Sequence, residues 1–142
     1  MGLDLGEVRI GVALSDPLGI ISQPHTVLKA ASPRRDAEAI RGLVEQTGTQ
    51  CIVVGMPLNR EGKPGPQAEK VLAFIELLRQ VVPVEIVTQD ERFTTAAMQR
   101  VLIDAGVRRD RRKQVIDKLA AQQILQTYLD RQAAAARARG NR

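Results

Sequence analysis

Two residue types on which many active sites depend are almost missing from this chain of 142 residues. Cys51 is its single cysteine and His25 its single histidine. One cysteine excludes an intramolecular disulfide and a thiolate metal cluster, and one histidine excludes a histidine-rich metal centre. Cys51 lies in the apolar run Gln50–Gly55, where an inert buried thiol is expected, and His25 lies in a Gln-Pro-His-Thr loop, where a bystander is expected. Aromatics are as scarce: Phe74, Phe93 and Tyr128 are the whole set. The core must therefore be aliphatic, and a broad stacking platform for successive bases is excluded. No apolar run approaches the ~20 residues of a membrane span, and the N-terminal run lacks a signal-peptide plan. Gly6 also stands where the myristoylation pattern needs Ser or Thr. A soluble cytoplasmic protein with no membrane partner is the expectation.

Charge is present, and its distribution is uneven. Residues 1–89 hold nine Lys/Arg against ten Asp/Glu, whereas residues 90–142 hold twelve against six. The excess peaks at Arg108, Arg109, Arg111, Arg112 and Lys113. A polyanion partner follows naturally from such a cluster, although a solvated basic loop has the same composition.

The length suits one compact domain. Residues 2–6 and 9–16 predict two strands joined by a tight turn, an antiparallel hairpin at the start. A shorter third strand over Ile20–Val27 is expected to break at Pro24. Ser32-Pro33 predicts the cap and first residue of a helix that ends at Gly48. Cys51–Gly55 predicts a strand covered on both faces. The turn-rich stretch 56–65 is not a phosphate-binding P-loop, since six residues separate Gly55 from Gly62-Lys63 and Pro64 replaces the required Ser or Thr. It predicts a mobile loop beside a site. Pro66–Val81 predicts a second helix, Val84–Thr88 a strand, and Thr94 or Thr95 caps a helix to about Ala105 that Gly106 ends. Gln114–Leu129 predicts the last helix, followed by an Ala/Arg tail expected to fray. Strands alternating with helices after a hairpin indicate an α/β layered domain, here residues 1–132, with a basic tail at 133–142.

Three acids sit in company that does not suit them. Asp4 stands mid-strand between leucines, where an unpaired carboxylate costs roughly several kcal/mol. Glu91 lies just past the end of a strand, where α/β folds commonly place functional groups. Asp90 is its rival, because alternation lets only one of two adjacent side chains face a site. Asp117 lies on the apolar stripe of the last helix, among Ala120, Ala121, Ile124 and Tyr128. Helix geometry leaves a second reading open, in which Asp117 is hydrated in a first turn favoured by the macrodipole. Gathered together, the three acids would form a histidine-free oxygen site suited to Mg²⁺ or Mn²⁺. Paired ions of that kind support phosphodiester hydrolysis without a protein nucleophile.

Four segments resemble the YqgF family of RNase H-like nucleases: Gly2-Leu3-Asp4-Leu5-Gly6 with Arg9 to Asp16; Val53 to Asn59 with Gly62; Asp90 to Thr95; and Ile116-Asp117-Lys118-Leu119-Ala120-Ala121 with Ile124 to Leu129. They stand in family order and span nearly the whole chain except the tail. The resemblance implies a single RNase H-like domain with a central mixed sheet flanked by helices. It also implies a catalytic, metal-holding trio at Asp4, Glu91 and Asp117, and an activity of processing the 5′ end of pre-16S ribosomal RNA or resolving Holliday junctions. Val8 departs from the family, which usually has lysine there, so the basic contact near the first turn rests on Arg9.

The leading expectation is a metal-dependent endonuclease acting on structured RNA or branched DNA. Arg9, Lys63, Arg92 and the Arg108, Arg109, Arg111, Arg112 and Lys113 cluster are its candidate backbone contacts. A resolvase would need two active sites and hence a homodimer, whereas an RNA-trimming enzyme can act as a monomer. An ATP-handling domain shares the Asp-x-Gly hairpin, but such sites lie between two domains. A non-catalytic ribosome-assembly factor explains the basic charge and leaves the three apolar-embedded acids unexplained.

Overall fold

The computed structural model of the protein describes residues 1–59, 61–91, 106 and 109–140, the last segment with its side chains from residue 116 onward. Five strands, β1 (Gly2–Leu5), β2 (Arg9–Ser15), β3 (Ser22–Lys29), β4 (Cys51–Met56) and β5 (Glu85–Asp90), form one mixed sheet in the order β3-β2-β1-β4-β5. β1, β2 and β3 pair antiparallel, and β4 and β5 join them in parallel. The described helices are α1 (Pro33–Thr47), α2 (Pro66–Val81) and α3 (Arg109–Gly140). This is the expected α/β architecture, a mixed sheet that starts with a hairpin.

Strand alternation sorts the two faces. Leu3, Ile10, Val12, Ile52, Val54 and Ile86 point to one side, where Ala37, Ile40 and Val44 of α1 and Val71, Ile75 and Leu78 of α2 cover them. α1 starts as its sequence predicts: Ser32 Oγ accepts from the Arg35 N–H at 3.2 Å, and Gly48 ends the helix at φ 66°. On the other side Ala13 and Val53 meet Ala121, Ile124 and Leu125 of α3. Glycines at positions 2 and 11 of the strands let the helix lie close to them. Ideal Cβ atoms built on Gly2 would come 2.7 Å from Leu125 Cβ and 2.8 Å from the Ala121 carbonyl oxygen. One on Gly11 would fall on the carbonyl of Asp117.

Two elements, β3 and the last helix, differ from their sequence expectation. β3 does not break at Pro24; it runs from Ser22 to Lys29 with a register shift opposite Val12 and Ala13. β3 is an edge strand, where proline and a bulge are tolerated, and His25 is exposed on it. The described residues of the loop after β4 carry hydrogen bonds of their own. Asn59 Oδ1 accepts from the Glu61 and Lys63 N–H groups at 3.0 and 2.9 Å, and Leu58 pairs with Pro64 in a single bridge. α3 runs on to Gly140, so the residues from Ala133 that were expected to fray are helical and exposed. Alanine and arginine are strong helix formers and no breaker precedes Gly140. The helix expected between Thr94 and Ala105 lies outside the described residues.

α3 is also fastened to the edge strand. Gln126 Oε1 accepts from the Ser22 N–H at 2.8 Å, Gln126 Nε2 donates to the Ile20 carbonyl at 2.9 Å, and Gln122 Nε2 donates to the Ser22 carbonyl at 3.1 Å. Two glutamines one helical turn apart thus satisfy backbone groups that the end of an edge strand would leave bare.

Candidate active site

The even-numbered residues of β1 face α3, so Asp4 points into the narrow layer beneath that helix. Its strand partner is Gly11, the residue on which the Asp117 carbonyl rests. A side chain at position 11 would hold α3 away from the sheet, and Asp117 with it. Glu91 reaches the same layer from the other side. β5 continues in register with β4 as far as Asp90, opposite Met56, and the Glu91 N–H then donates to the Met56 carbonyl at 3.3 Å. Alternation puts Val87, Gln89 and Glu91 toward α3 and Asp90 away from it. An ideal Cβ on Gly55 would stand 2.6 Å from Glu91 Oε2, so the glycine leaves the room that the carboxylate occupies.

A side-chain hydrogen bond links Asp4 and Glu91, raising the one and lowering the other. Burial, the charge of Glu91, that hydrogen bond and the charge of Asp117 together push Asp4 up to about 8 from the ordinary 3.8. Burial, opposed by the hydrogen bond from Asp4, also raises Glu91. The two acids titrate as a pair. Asp117 does not lie in a first turn, as its second reading had it, but eight residues into α3; it is partly buried and its charge is felt at Asp4. Among the described residues no three acids stand in the tight grouping that holds an ion as placed. The arrangement is a proton-sharing pair with a third acid nearby.

The donor set nevertheless fits a hard divalent cation. It offers carboxylate oxygens alone, and burial opposes ionisation of Asp4 and Glu91 without a counter-charge. Cys51 offers no rival chemistry, since burial pushes its thiol upward.

The other sequence-derived candidates fall elsewhere. Arg9 begins β2 at the same end of the sheet and is partly buried. Lys63 is exposed on the loop after β4, held by Asn59. Arg92 and Arg108 lie outside the described residues. So do the side chains of Arg109, Arg111, Arg112 and Lys113, whose backbone forms the first turns of α3. Sequence reasoning missed Lys29 and Lys118, which line a cleft with Arg9. Lys118 had a signal in its position next to Asp117. Lys29 had none, because its pairing with Arg9 is a matter of strand register.

The paired acids predict how stability depends on pH. Between about pH 4 and pH 8 the folded chain keeps a proton at Asp4 that the unfolded chain has lost, so stability falls as pH rises through that window. Without divalent ions, the thermal midpoint is expected to drop between pH 5 and pH 8.5, and Asp4→Asn to flatten the drop. A midpoint that climbs across this range would contradict the shared proton.

The family model described as RuvX, Holliday junction resolvase, matches residues 1–131. The chain belongs to the RuvX family. RuvX and YqgF name the same group, so the resemblance drawn from four sequence segments is confirmed. Among curated RuvX relatives, a protein of Natranaerobius thermophilus provisionally named pre-16S rRNA nuclease is 48% identical over 132 residues, covering 93% of this chain and 94% of its own. A relative of the same name in Desulforudis audaxviator is 45% identical, covering 92% of each chain. The fold has solved counterparts. RuvC of T. thermophilus bound to a Holliday junction substrate aligns with TM-score 0.53 at 13% identity over 93% of this chain and 94% of that one. The fowlpox virus Holliday junction resolvase aligns with TM-score 0.54 at 12% identity, over 91% and 96%. These are RNase H-like folds. As a RuvX protein the chain is a nuclease, a hydrolase of phosphodiester bonds, and nucleases of this family and fold generally use divalent metal ions.

Proposed function

We propose that this protein is an endonuclease that trims the 5′ end of pre-16S ribosomal RNA in the cytoplasm, using Mg²⁺ or Mn²⁺ held by Asp4, Glu91 and Asp117. The observation that carries the proposal is the buried, proton-sharing Asp4–Glu91 pair, with Asp117 close enough for its charge to reach Asp4. Three partly buried carboxyl groups on one face of the sheet repel phosphate and one another, which serves no purpose in a module that only binds nucleic acid. The bound ions supply activation of water and stabilisation of the leaving oxygen. The chain's own part is to present the acids. Gly11 lets α3 bring Asp117 down, Gly55 leaves room for Glu91, and β1 fixes Asp4 between them. Asp4 and Glu91 release their shared proton when a counter-charge replaces it, so cation affinity should rise with pH.

Arg9, Lys63, Arg92 and the Arg108–Lys113 cluster are the proposed backbone contacts, with the nuclease unit at residues 1–132. The curated relatives carry the ribosomal-RNA name, which favours RNA as substrate. The family description and the solved resolvases favour branched DNA as the second reading, with a homodimer to cut two strands. Precursor RNA with a 5′ extension and a four-way DNA junction, incubated side by side with Mn²⁺, separate the two. Trimming of the RNA to a defined end with the junction left intact is the expected result. Paired symmetric cuts in the junction, from a chain that sediments as a dimer, would replace the RNA reading.

A further inference from the structure

Beside the acids, on the same face of the sheet, lies an open cleft of about 460 Å³ lined by Val8, Arg9, Thr26, Val27, Lys29 and Lys118. Its floor is the start of β2 and the end of β3, and its wall is α3. Arg9 and Lys29 are direct cross-strand partners. Like charges directly opposite each other in a sheet destabilise it. Lys118 adds a third positive charge. None of the three has a carboxylate within ion-pair distance among the described residues, whereas Arg41 has two, at 3.2 and 3.8 Å, and Lys70 and Arg79 have one each, at 3.5 and 3.4 Å. Three cations line one cleft without an ion-pair partner among the described residues, two of them opposed by strand register, and an anion between them would relieve their repulsion.

The cleft's position says which anion. The strand order places β3, β2 and β1 side by side, so the cations stand one and two strands away from Asp4, on the side opposite Glu91. With about 4.8 Å per strand, and Arg9 two residues along β2 from Gly11, the partner of Asp4, this is roughly 8–12 Å between backbones. A nucleic-acid strand places successive phosphates on that scale, one per roughly 3.4 Å of duplex axis. The helix joins the two features, since consecutive residues Asp117 and Lys118 serve the acid layer and the cleft.

We propose that Arg9, Lys29 and Lys118 form a phosphodiester subsite that seats the backbone of the substrate strand one to a few nucleotides from the bond that is cut. The subsite makes the site one-sided. The strand crosses the acids and continues over the β2–β3 edge, and the thermodynamic cost of the opposed Arg9–Lys29 pair is relieved when a phosphate enters. The inference rests on the nuclease reading and adds to it the path of the strand.

The test uses the full chain carrying Asp4→Asn, which holds substrate without cutting it, with and without the added pair Lys29→Ala and Lys118→Ala. Binding of the precursor RNA and of the four-way junction is measured across a potassium chloride series. Loss of two phosphate contacts is expected to make the slope of log affinity against log salt shallower by roughly 1.4 for single-stranded and 1.8 for duplex backbone. Arg41→Ala, which removes one charge from α1, leaves the slope unchanged. In the cleaving chain the Lys29/Lys118 double variant raises KM with kcat held, and its thermal midpoint is equal or higher because like charges have been removed. A native chain that cleaves while the double variant keeps both slope and KM overturns the subsite and spares the nuclease reading. A native chain that cuts neither substrate, but whose salt slope still depends on Lys29 and Lys118, fails the nuclease reading and keeps the cleft as a phosphodiester site.

Discussion

Asp4→Asn is expected to lower divalent-ion-dependent cleavage by a factor on the order of 1,000 while making the folded chain more stable above pH 8. The loss follows from removing one charged member of a preorganised electrostatic site, an effect of about that size in other enzymes. The gain follows from the same carboxyl group. Asp4 sits beneath α3 beside Glu91 and Asp117 and resists ionising until about pH 8. In alkaline buffer it becomes a buried anion among anions, and asparagine replaces it with a neutral group of nearly the same shape. Activity and stability should therefore move in opposite directions, as expected where a site holds groups the fold would prefer to lose. Single-turnover cleavage with Mn²⁺ and thermal unfolding at pH 6 and pH 9 measure the two halves. An Asn variant that cuts at the native rate removes Asp4 from the chemistry. One that is less stable than native at pH 9 removes the account of burial and repulsion given for it.

Gly11→Ala is expected to destabilise the protein by about 1–3 kcal/mol or more, the usual cost of overpacking a well-filled layer, and to depress cleavage in whatever fraction stays folded. An ideal Cβ at position 11 falls on the carbonyl of Asp117, a backbone atom that cannot swing aside as a side-chain tip would. Either α3 lifts or β2 bends, and both movements separate Asp117 from Asp4. Gly42→Ala is the control. It lies inside α1 with nothing within 4 Å of its ideal Cβ, so the same change should stabilise by about 0.5–1 kcal/mol through helix propensity. Urea titrations of the two variants should thus shift in opposite directions. A Gly11 variant as stable as the native chain, with α3 seated as before, would show that the glycine is not what brings the helix down.

The order of elements was legible in the sequence because its signals are local. Ser32-Pro33 and Gly48 bracket α1, Pro66 opens α2, and the alternation of Asp4 with its leucine neighbours fixes which face of β1 holds the acid. The period of a strand showed only that one of Asp90 and Glu91 can face the site, and the choice of Glu91 came from the family resemblance. What stayed hidden depends on partners far along the chain. Pro24 looks like a break until β3 is known to be an edge, where the missing N–H costs nothing. Gln122 and Gln126 look like solvent-facing residues until the end of β3 comes to rest beside them. The Arg9–Lys29 confrontation exists only in the register of two strands. The tail reads as frayed because it has no apolar face, whereas alanine-rich helix needs no tertiary partner to continue from an existing one.

The acids come from opposite ends of the polypeptide, Asp4 from the first strand and Asp117 from the last helix. Synthesis runs from the N-terminus and domains fold in that order. A nascent chain can therefore assemble β1 through β5 on the ribosome and still lack a complete set of acids. On the proposed assignment, the acids of the nuclease come together only once α3 has emerged and settled on Gly11.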